Sequence, residues 1–423
     1  MIITGIILVI LTFWAIVRNY ETRVVLMLSG LIMSFIGGNM MSSLAAFSKS
    51  LINESLTPII CITMGFSLVL DKTGCSQHLI LAITKLLHRV KFIIIPATVI
   101  LVWLINISLI SASGLAAAVG AILIPVLIKL GIKPTMAAST VLLGTWGSSV
   151  SPANPFLVQV ADLAHGDLMT IIQSFAPKAF ISVLVSSLIL FAIAKFTKEG
   201  IQLNTASASI VEETSETSEK AEKINPLYAI VPLVPIVILI LASPAVKLLP
   251  TISITNAMLL GTLLCFLVTR PNIKDFSSTF FKGAGDGFAN IVCLIAAAAM
   301  FIQGMNVLGL TAALIDTMAN SPALAKVSAT FGPFILAAIS GSGNAAVLAF
   351  NGAVTPHAAS FGLQVADMGA VVQAAGNLGR CMSPVAGVSI ICAKMAGVNP
   401  MELTKRNAIP CIAAGIVMML LVL

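Results

Sequence analysis

The sequence predicts an all-α polytopic membrane protein made of two inverted repeats, each of five transmembrane helices plus one re-entrant hairpin. Three observations predict it: a composition too apolar for water, motifs that recur in the same order in both halves, and basic residues confined to alternate loops. Hydrophobic residues make up 58% of the 423 and charged residues 9%, with a mean hydropathy of +1.06. A soluble domain carries about 25% charged residues, so this chain cannot cover itself with polar groups and the lipid bilayer must be its solvent. The apolar runs at 181–194 and 412–423 are unbroken, which favours helices over the alternating strands of a barrel.

Apolar stretches of about 17–25 residues can cross a bilayer as helices, and they recur along the whole chain. In the first half, crossings are expected near 2–17, 24–47 and 57–70, then an amphipathic stretch at 76–88 that ends in a basic cluster. Residues 1–17 lack the basic start and the small-residue cleavage site of a signal peptide, and are read as a spanning helix. Two apolar arms over 92–130 meet at 111–114, a span at 135–161 is interrupted at 144–155, and another crossing follows at 171–195. Residues 197–225 are rich in Ser, Thr and Glu, and are expected to be a solvated linker between repeats at 1–196 and 226–423. The second half repeats the plan: crossings near 226–246, 252–268 and 286–303, an interfacial stretch at 308–319, two arms over 324–360 meeting at 340–343, a span at 366–393 interrupted at 376–384, and a last crossing from 407.

The halves also agree in letters. S-A-S-G at 111–114 answers S-G-S-G at 340–343, G-x-x-G-x-x-x-S-P occurs at 144–152 and 376–384, and A-D-L-A at 161–164 answers A-K-M-A at 393–396. With the two-armed segments re-entrant, each half crosses five times, and an odd number inverts the second half. Basic residues agree. Of the 23 lysines and arginines, only Lys49, Lys178, Lys247 and Lys326 fall on outer segments and Arg380 lies inside a span, so the remaining 18 share one side. The positive-inside rule makes that side the cytoplasm and puts both termini on the periplasmic side. This placement also accounts for the net charge of +7 without a nucleic-acid partner.

Non-helical backbone at membrane depth survives only inside protein or against a water-filled cavity. The four expected breaks therefore mark the site, since free N–H groups at helix starts suit anions and free carbonyls at helix ends suit cations. Around them lie Ser111, Ser113, Gly114, Thr145, Ser148, Ser149, Ser151, Asn154, Ser340, Ser342, Gly343, Asn344, Asn377 and Ser383. Such groups can hold a small anionic solute, with carbonyls and hydroxyls near Ser113, Ser149, Ser342 and Ser383 as places for a coupling Na⁺. Small residues also serve helix packing, and Ser hydroxyls can bond their own backbone. An arginine at depth costs several kcal/mol and needs a partner: Arg380 either contacts an anionic solute, caps freed carbonyls, or pairs with an acid such as Asp71 or Asp286. No cofactor is expected beyond a coupling Na⁺ or H⁺. The seven cysteines include no C-x-x-C pair and are read as buried small hydrophobes.

Enzyme chemistry finds no motif. G-A-G-D at 283–286 imitates an intramembrane aspartyl protease, but the two tyrosines precede Glu21 and Ala229 and offer no second aspartate. Neither H-E-x-x-H nor a P-loop is present.

Phe288, Ala289 and Asn290 opening a span, S-G-S-G-N at 340–344 and N-L-G-R at 377–380 with Ser383 and Pro384 resemble the anaerobic C4-dicarboxylate carrier (DcuC-type) family of the ion-transporter superfamily. The likeness is specific over 286–410; the first-half break, with Trp146, Pro152 and Pro155, departs from it. The resemblance implies a secondary transporter of dicarboxylates such as succinate, fumarate or malate in a bacterial inner membrane. It also implies an elevator mechanism, in which a transport domain of about 57–161 and 286–393 slides against a scaffold that forms a homodimer. Residues alone leave two other occupations of the architecture open, a carrier of another organic anion or amino-acid derivative, and an ion channel.

Overall fold

The computed structural model describes residues 1–18, 20–54, 56–87, 93–200, 225–242, 246–313 and 322–423. Among them every regular element is helical. The first half holds α1 (Ile2–Val17), α2 (Thr22–Ile36), α3 (Met40–Leu51), α4 (Leu56–Lys72), α5 (Cys75–Leu87), α6 (Ile94–Ser108), α7 (Ala112–Lys129), α8 (Pro134–Leu143), α9 (Pro155–Leu163) and α10 (Leu168–Phe196). The second holds α11 (Pro226–Leu241), α12 (Ile254–Thr269), α13 (Ile273–Val307), α14 (Pro322–Ser340), α15 (Gly343–Ala353), α16 (Val365–Met382), α17 (Gly387–Ala396) and α18 (Pro400–Val422). Five described helices are long and apolar enough to cross a bilayer, and α3 and α4, bent by 49°, reach that length only if counted as one span. The chain is a multi-pass membrane protein. Its free cysteines are buried at five positions and half-buried at Cys61 and Cys293.

Three expected spans are drawn differently by the fold. The stretch 24–47 is two helices, because Gly38 takes the left-handed conformation (φ +77°) and turns the chain between α2 and α3. The span placed at 286–303 begins at Ile273 and runs 35 residues. Its first half is amphipathic: Lys274, Asp275, Lys282 and Asp286 are exposed, while Gly283 and Gly287 are buried. A Cβ on Gly283 would lie 2.6 Å from the Met64 carbonyl of α4, so backbone contact holds a segment too polar for an apolar-run criterion. Phe288, Ala289 and Asn290 therefore lie in a π-helical turn within α13 and do not open a helix. Finally, the expected interruption at 376–384 narrows to 383–386. α16 runs intact through Gly376, Asn377, Gly379 and Arg380. Gly379 serves close packing, since a Cβ there would sit 2.1 Å from the Phe334 carbonyl. The helix stops at Ser383, whose extended backbone (φ −80°, ψ 127°) is what a following proline requires. Of the expected linker, residues 201–224 lie outside the described residues, as do His88, Arg89, Lys91 and 314–319 of the second interfacial stretch.

Packing sorts the helices into two groups. α13 is flanked by α4 along its first half and by α2 and α3 along its second, and α12 also packs on α4. Gly30 and Gly304 let α2 and α13 touch backbone to backbone, a Cβ on either meeting main-chain atoms at 2.6 Å. The other group joins the hairpins α6–α7 and α14–α15 to α8, α9, α16 and α17, with α10 and α18 packed on each other and on these elements.

The α10–α18 contact is closed by charge. Arg406 Nε and Nη2 donate to the Glu199 carboxylate at 2.8 and 2.7 Å, and Nη1 donates to Glu402 Oε2 at 2.7 Å. The Glu199 side chain is only 8% exposed, and the hydrogen-bonded guanidinium holds its carboxyl below the usual carboxylate range. A depressed folded-state pKa means that the stabilisation is full above the unfolded value and is lost as pH falls through the folded one. Glu199→Gln is expected to cost about 1–3 kcal/mol at neutral pH, read as a lower melting temperature in detergent. Its deficit against the native chain should shrink below about pH 4.

Candidate functional site

The break between α8 and α9 is built from short-range hydrogen bonds. Residues Gly147–Val150 form a 3₁₀ turn, and the Asn154 side chain caps α9 by accepting from the Phe156 N–H at 2.9 Å. Asn154 Nδ2 donates to the Ser148 carbonyl at 2.7 Å, while the Ser148 N–H donates to Asn106 Oδ1 at 2.8 Å. Asn106, fully buried near the end of α6, also donates to the Leu109 carbonyl at 2.8 Å. One asparagine thus ties the first hairpin tip to the first break. The Ser148 peptide is held on both sides.

The second half completes the hold. Asn377 Nδ2 donates to Ser149 Oγ at 2.9 Å, and Arg380 Nη2 donates to the Thr145 carbonyl at 2.8 Å. Thr145 Oγ1 donates back to the Leu142 carbonyl at 2.8 Å and touches Cys381 Sγ at 3.5 Å. Behind the break, Trp146 and Trp103 pack edge to face with ring centroids 5.8 Å apart. At the first hairpin tip, the Ser111 side chain caps α7 by accepting from the Gly114 N–H at 3.1 Å.

These elements line a partly open cavity of about 240 Å³. Of the residues expected at the site, Ser111, Ser113, Ser148, Asn154, Asn344, Asn377 and Arg380 line it. Thr145 and Ser149 stand behind it as partners of Arg380 and Asn377, and Gly114 supplies the N–H that Ser111 caps. Ser151 is buried within the break, its N–H donating to the Ser148 carbonyl at 3.1 Å. The second hairpin tip goes elsewhere. Ser340 Oγ donates to the Leu336 carbonyl and accepts from the Ser342 N–H, and Ser342 Oγ caps α15 by accepting from the Ala345 N–H. Gly341, left-handed at φ +74°, lies against Ala386 of the second break, and Gly343 against Gly376. Ser340, Ser342, Gly343 and Ser383 are not cavity-lining residues. The four expected breaks thus do not converge symmetrically: the first hairpin and first break form the wall, and the second half supplies Asn344 and α16.

The cavity carries a single charge. Arg380 is its one ionisable lining residue, and among the described residues Arg380 forms no ion pair. The sequence alternative of an Asp71 or Asp286 partner is not what the fold provides; a freed carbonyl takes one guanidinium nitrogen. No cluster of three or more His, Cys, Asp or Glu able to hold a metal occurs among the described residues.

Sequence reasoning missed Asn106, Gln373 and the α4 residues Ile60, Thr63 and Met64, all at or behind the wall. Asn106 and Gln373 had a signal: each is an amide inside an apolar helical run, where an unpaired polar group is costly. The α4 contribution had none, because its lining residues look like any apolar helix face.

Residues 1–423 match a protein family described as the C4-dicarboxylate anaerobic carriers (DcuC). A putative uncharacterized transporter of Haemophilus influenzae is 41% identical over 155 residues, which cover 37% of this chain and 56% of that relative, so the match spans little more than half of its length. The anaerobic C4-dicarboxylate transporter DcuC of Escherichia coli K12 is 26% identical over 99% of this chain and 95% of its own. A probable anaerobic C4-dicarboxylate transporter DcuC of Vibrio cholerae is 24% identical over 88% and 83%.

The Asn106 tie is testable by itself. Asn106→Leu leaves the Leu109 carbonyl and the Ser148 N–H without their partner and is expected to cost on the order of 3 kcal/mol, measured as a fall in melting temperature in detergent. An unchanged melting temperature would show that the tip and the break are held by other contacts.

Proposed function

Since the chain belongs to the C4-dicarboxylate anaerobic carrier family, we propose that it is a secondary active transporter of small carboxylates, with C4-dicarboxylates such as succinate, fumarate or malate as its substrates. The observation that carries the reading is Arg380, a guanidinium on the wall of a small cavity with no carboxylate to neutralise it. A buried cation without a counter-ion is unstable in low dielectric, and an anionic solute supplies what the fold withholds. Ser111, Ser113, Ser148, Asn154, Asn344 and Asn377 surround it with neutral donors and acceptors. At about 240 Å³, the cavity falls below the ~300–1,000 Å³ of drug-sized pockets, which suits a small acid.

The movement we propose is an elevator. In each half, three helices or bent helices, followed in the first half by α5, precede a hairpin, a broken helix and a last long helix, the order expected of inverted repeats. The tight α10–α18 contact groups these last helices with the hairpins, while α4 and α13 pack on each other and on α2, α3 and α12. The moving unit is therefore drawn as α6–α10 with α14–α18, and the frame as α1–α4 with α11–α13. That shifts the boundary from the 57–161 and 286–393 expected from resemblance, because helix packing, not motif position, decides what moves together. The segregation of basic residues supports cytoplasmic placement of the loop between α1 and α2 and periplasmic termini.

Uptake of labelled succinate into proteoliposomes, with Na⁺ and proton gradients varied separately, tests the function. Saturable uptake with counterflow is expected, which a channel would not show. Arg380→Ala should lower uptake at sub-saturating substrate about 30-fold or more, the equivalent of losing about 2 kcal/mol. No succinate flux from folded protein would sink this substrate class.

A further inference from the structure

The cavity wall holds a second polar group whose hydrogen bonding is incomplete. Gln373 lies on α16, seven residues before Arg380 and so two turns away on the same face. It is 1% exposed and lines the cavity, yet its Oε1 has no hydrogen-bond partner. An orphaned buried acceptor costs about 1–3 kcal/mol, and a donor on a solute in the cavity would relieve that cost.

The chemistry of that donor follows from the two side chains together. A guanidinium presents paired N–H donors and matches a carboxylate. A primary carboxamide presents one acceptor and one donor, the complement of a protonated carboxyl group, which has one O–H and one C=O. A carboxylate could only accept, and would leave the amide oxygen unmatched. Charge gives the same result independently. The cavity offers one positive charge, so a dianion would leave one negative charge without a partner on its wall, whereas a monoanion balances it.

From this we infer that the site takes its dicarboxylate as the monoanion, the carboxylate on Arg380 and the protonated carboxyl on Gln373, and so carries one proton with each substrate. This rests on the carrier reading above. The titrating group is the substrate, because no carboxylate, histidine or lysine lines the cavity; Lys326 on α14, His357 in the turn after α15, Lys394 on α17 and Glu402, Lys405 and Arg406 on α18, on elements packed against α16, stand outside the lining. Asp71 and Lys72 on α4, Lys129 on α7, Asp162 on α9, Asp286 on α13 and Asp367 on α16 are not cavity-lining residues, and the Cys381 thiol beside Arg380 is turned onto Thr145.

Counterflow of labelled succinate in proteoliposomes, with equal pH on both sides and choline in place of Na⁺, tests the inference. The apparent KM for total succinate is expected to rise about tenfold per pH unit above the second pKa of succinate, and to stay constant when expressed as monoanion. Restoring Na⁺ should change neither. Gln373→Lys, which adds a second cation and removes the amide acceptor, should abolish the rise and favour the dianion. A native KM that is flat or falls with pH, or a requirement for Na⁺, would show that the dianion travels with a cation and would overturn the inference. A Lys variant that keeps the native pH slope would remove Gln373 from the account. Should the variant fail to fold, the native pH series decides alone. Absence of saturable succinate counterflow at every pH would instead count against the carrier reading.

Discussion

A guanidinium inside an apolar bundle has to be solvated by something. Arg380 obtains part of that solvation from the Thr145 carbonyl, which is free only because α8 ends there. The carbonyl has no backbone partner because Asn106 and Asn154 hold the following 3₁₀ turn out of α-helical conformation. The charge, the break and the hairpin tip therefore depend on one another. Removing the arginine strands the carbonyl, and releasing the turn strands the arginine. What the network leaves unsatisfied is the net charge, and the proposed anion site rests on that remainder.

The same arrangement explains why the two halves look alike in sequence but perform different parts. G-x-x-G-x-x-x-S-P occurs twice. In the first half it is unwound from Gly144 onward. In the second it stays helical up to Met382. Gly376 and Gly379 are consumed by contact with the second hairpin and α14, as their missing Cβ atoms show, so the backbone there has no reason to open. The first half supplies a shaped loop, and the second supplies a rigid helix face on which Asn377 and Arg380 are two adjacent grips on that loop.

Much of this was legible in the chain. Composition gives the membrane, the small-residue motifs give the hairpin tips at Ser111 and Ser340, and an arginine in an apolar span gives the one charge that lines the cavity. The register of helices is harder to read. The first half of α13 is polar enough to resemble a loop, and only its glycine contact with α4 reveals it as packed helix. Convergence was least legible of all. Ser340, Ser342 and Ser383 have the chemistry of site residues, but hydroxyls at helix ends are equally good local caps, and Ser340 and Ser342 are used that way. Gln373 is the reverse case, a residue with no motif that α16 places on the cavity wall.

The most direct test of the account is an experimental structure of the protein with a C4-dicarboxylate bound. An anion in contact with the Arg380 guanidinium, enclosed by Ser111, Asn154 and Asn377, with the Thr145 carbonyl still held, is the predicted result. A dicarboxylate bound elsewhere while the Arg380 cavity remains free of it would contradict the account at its centre.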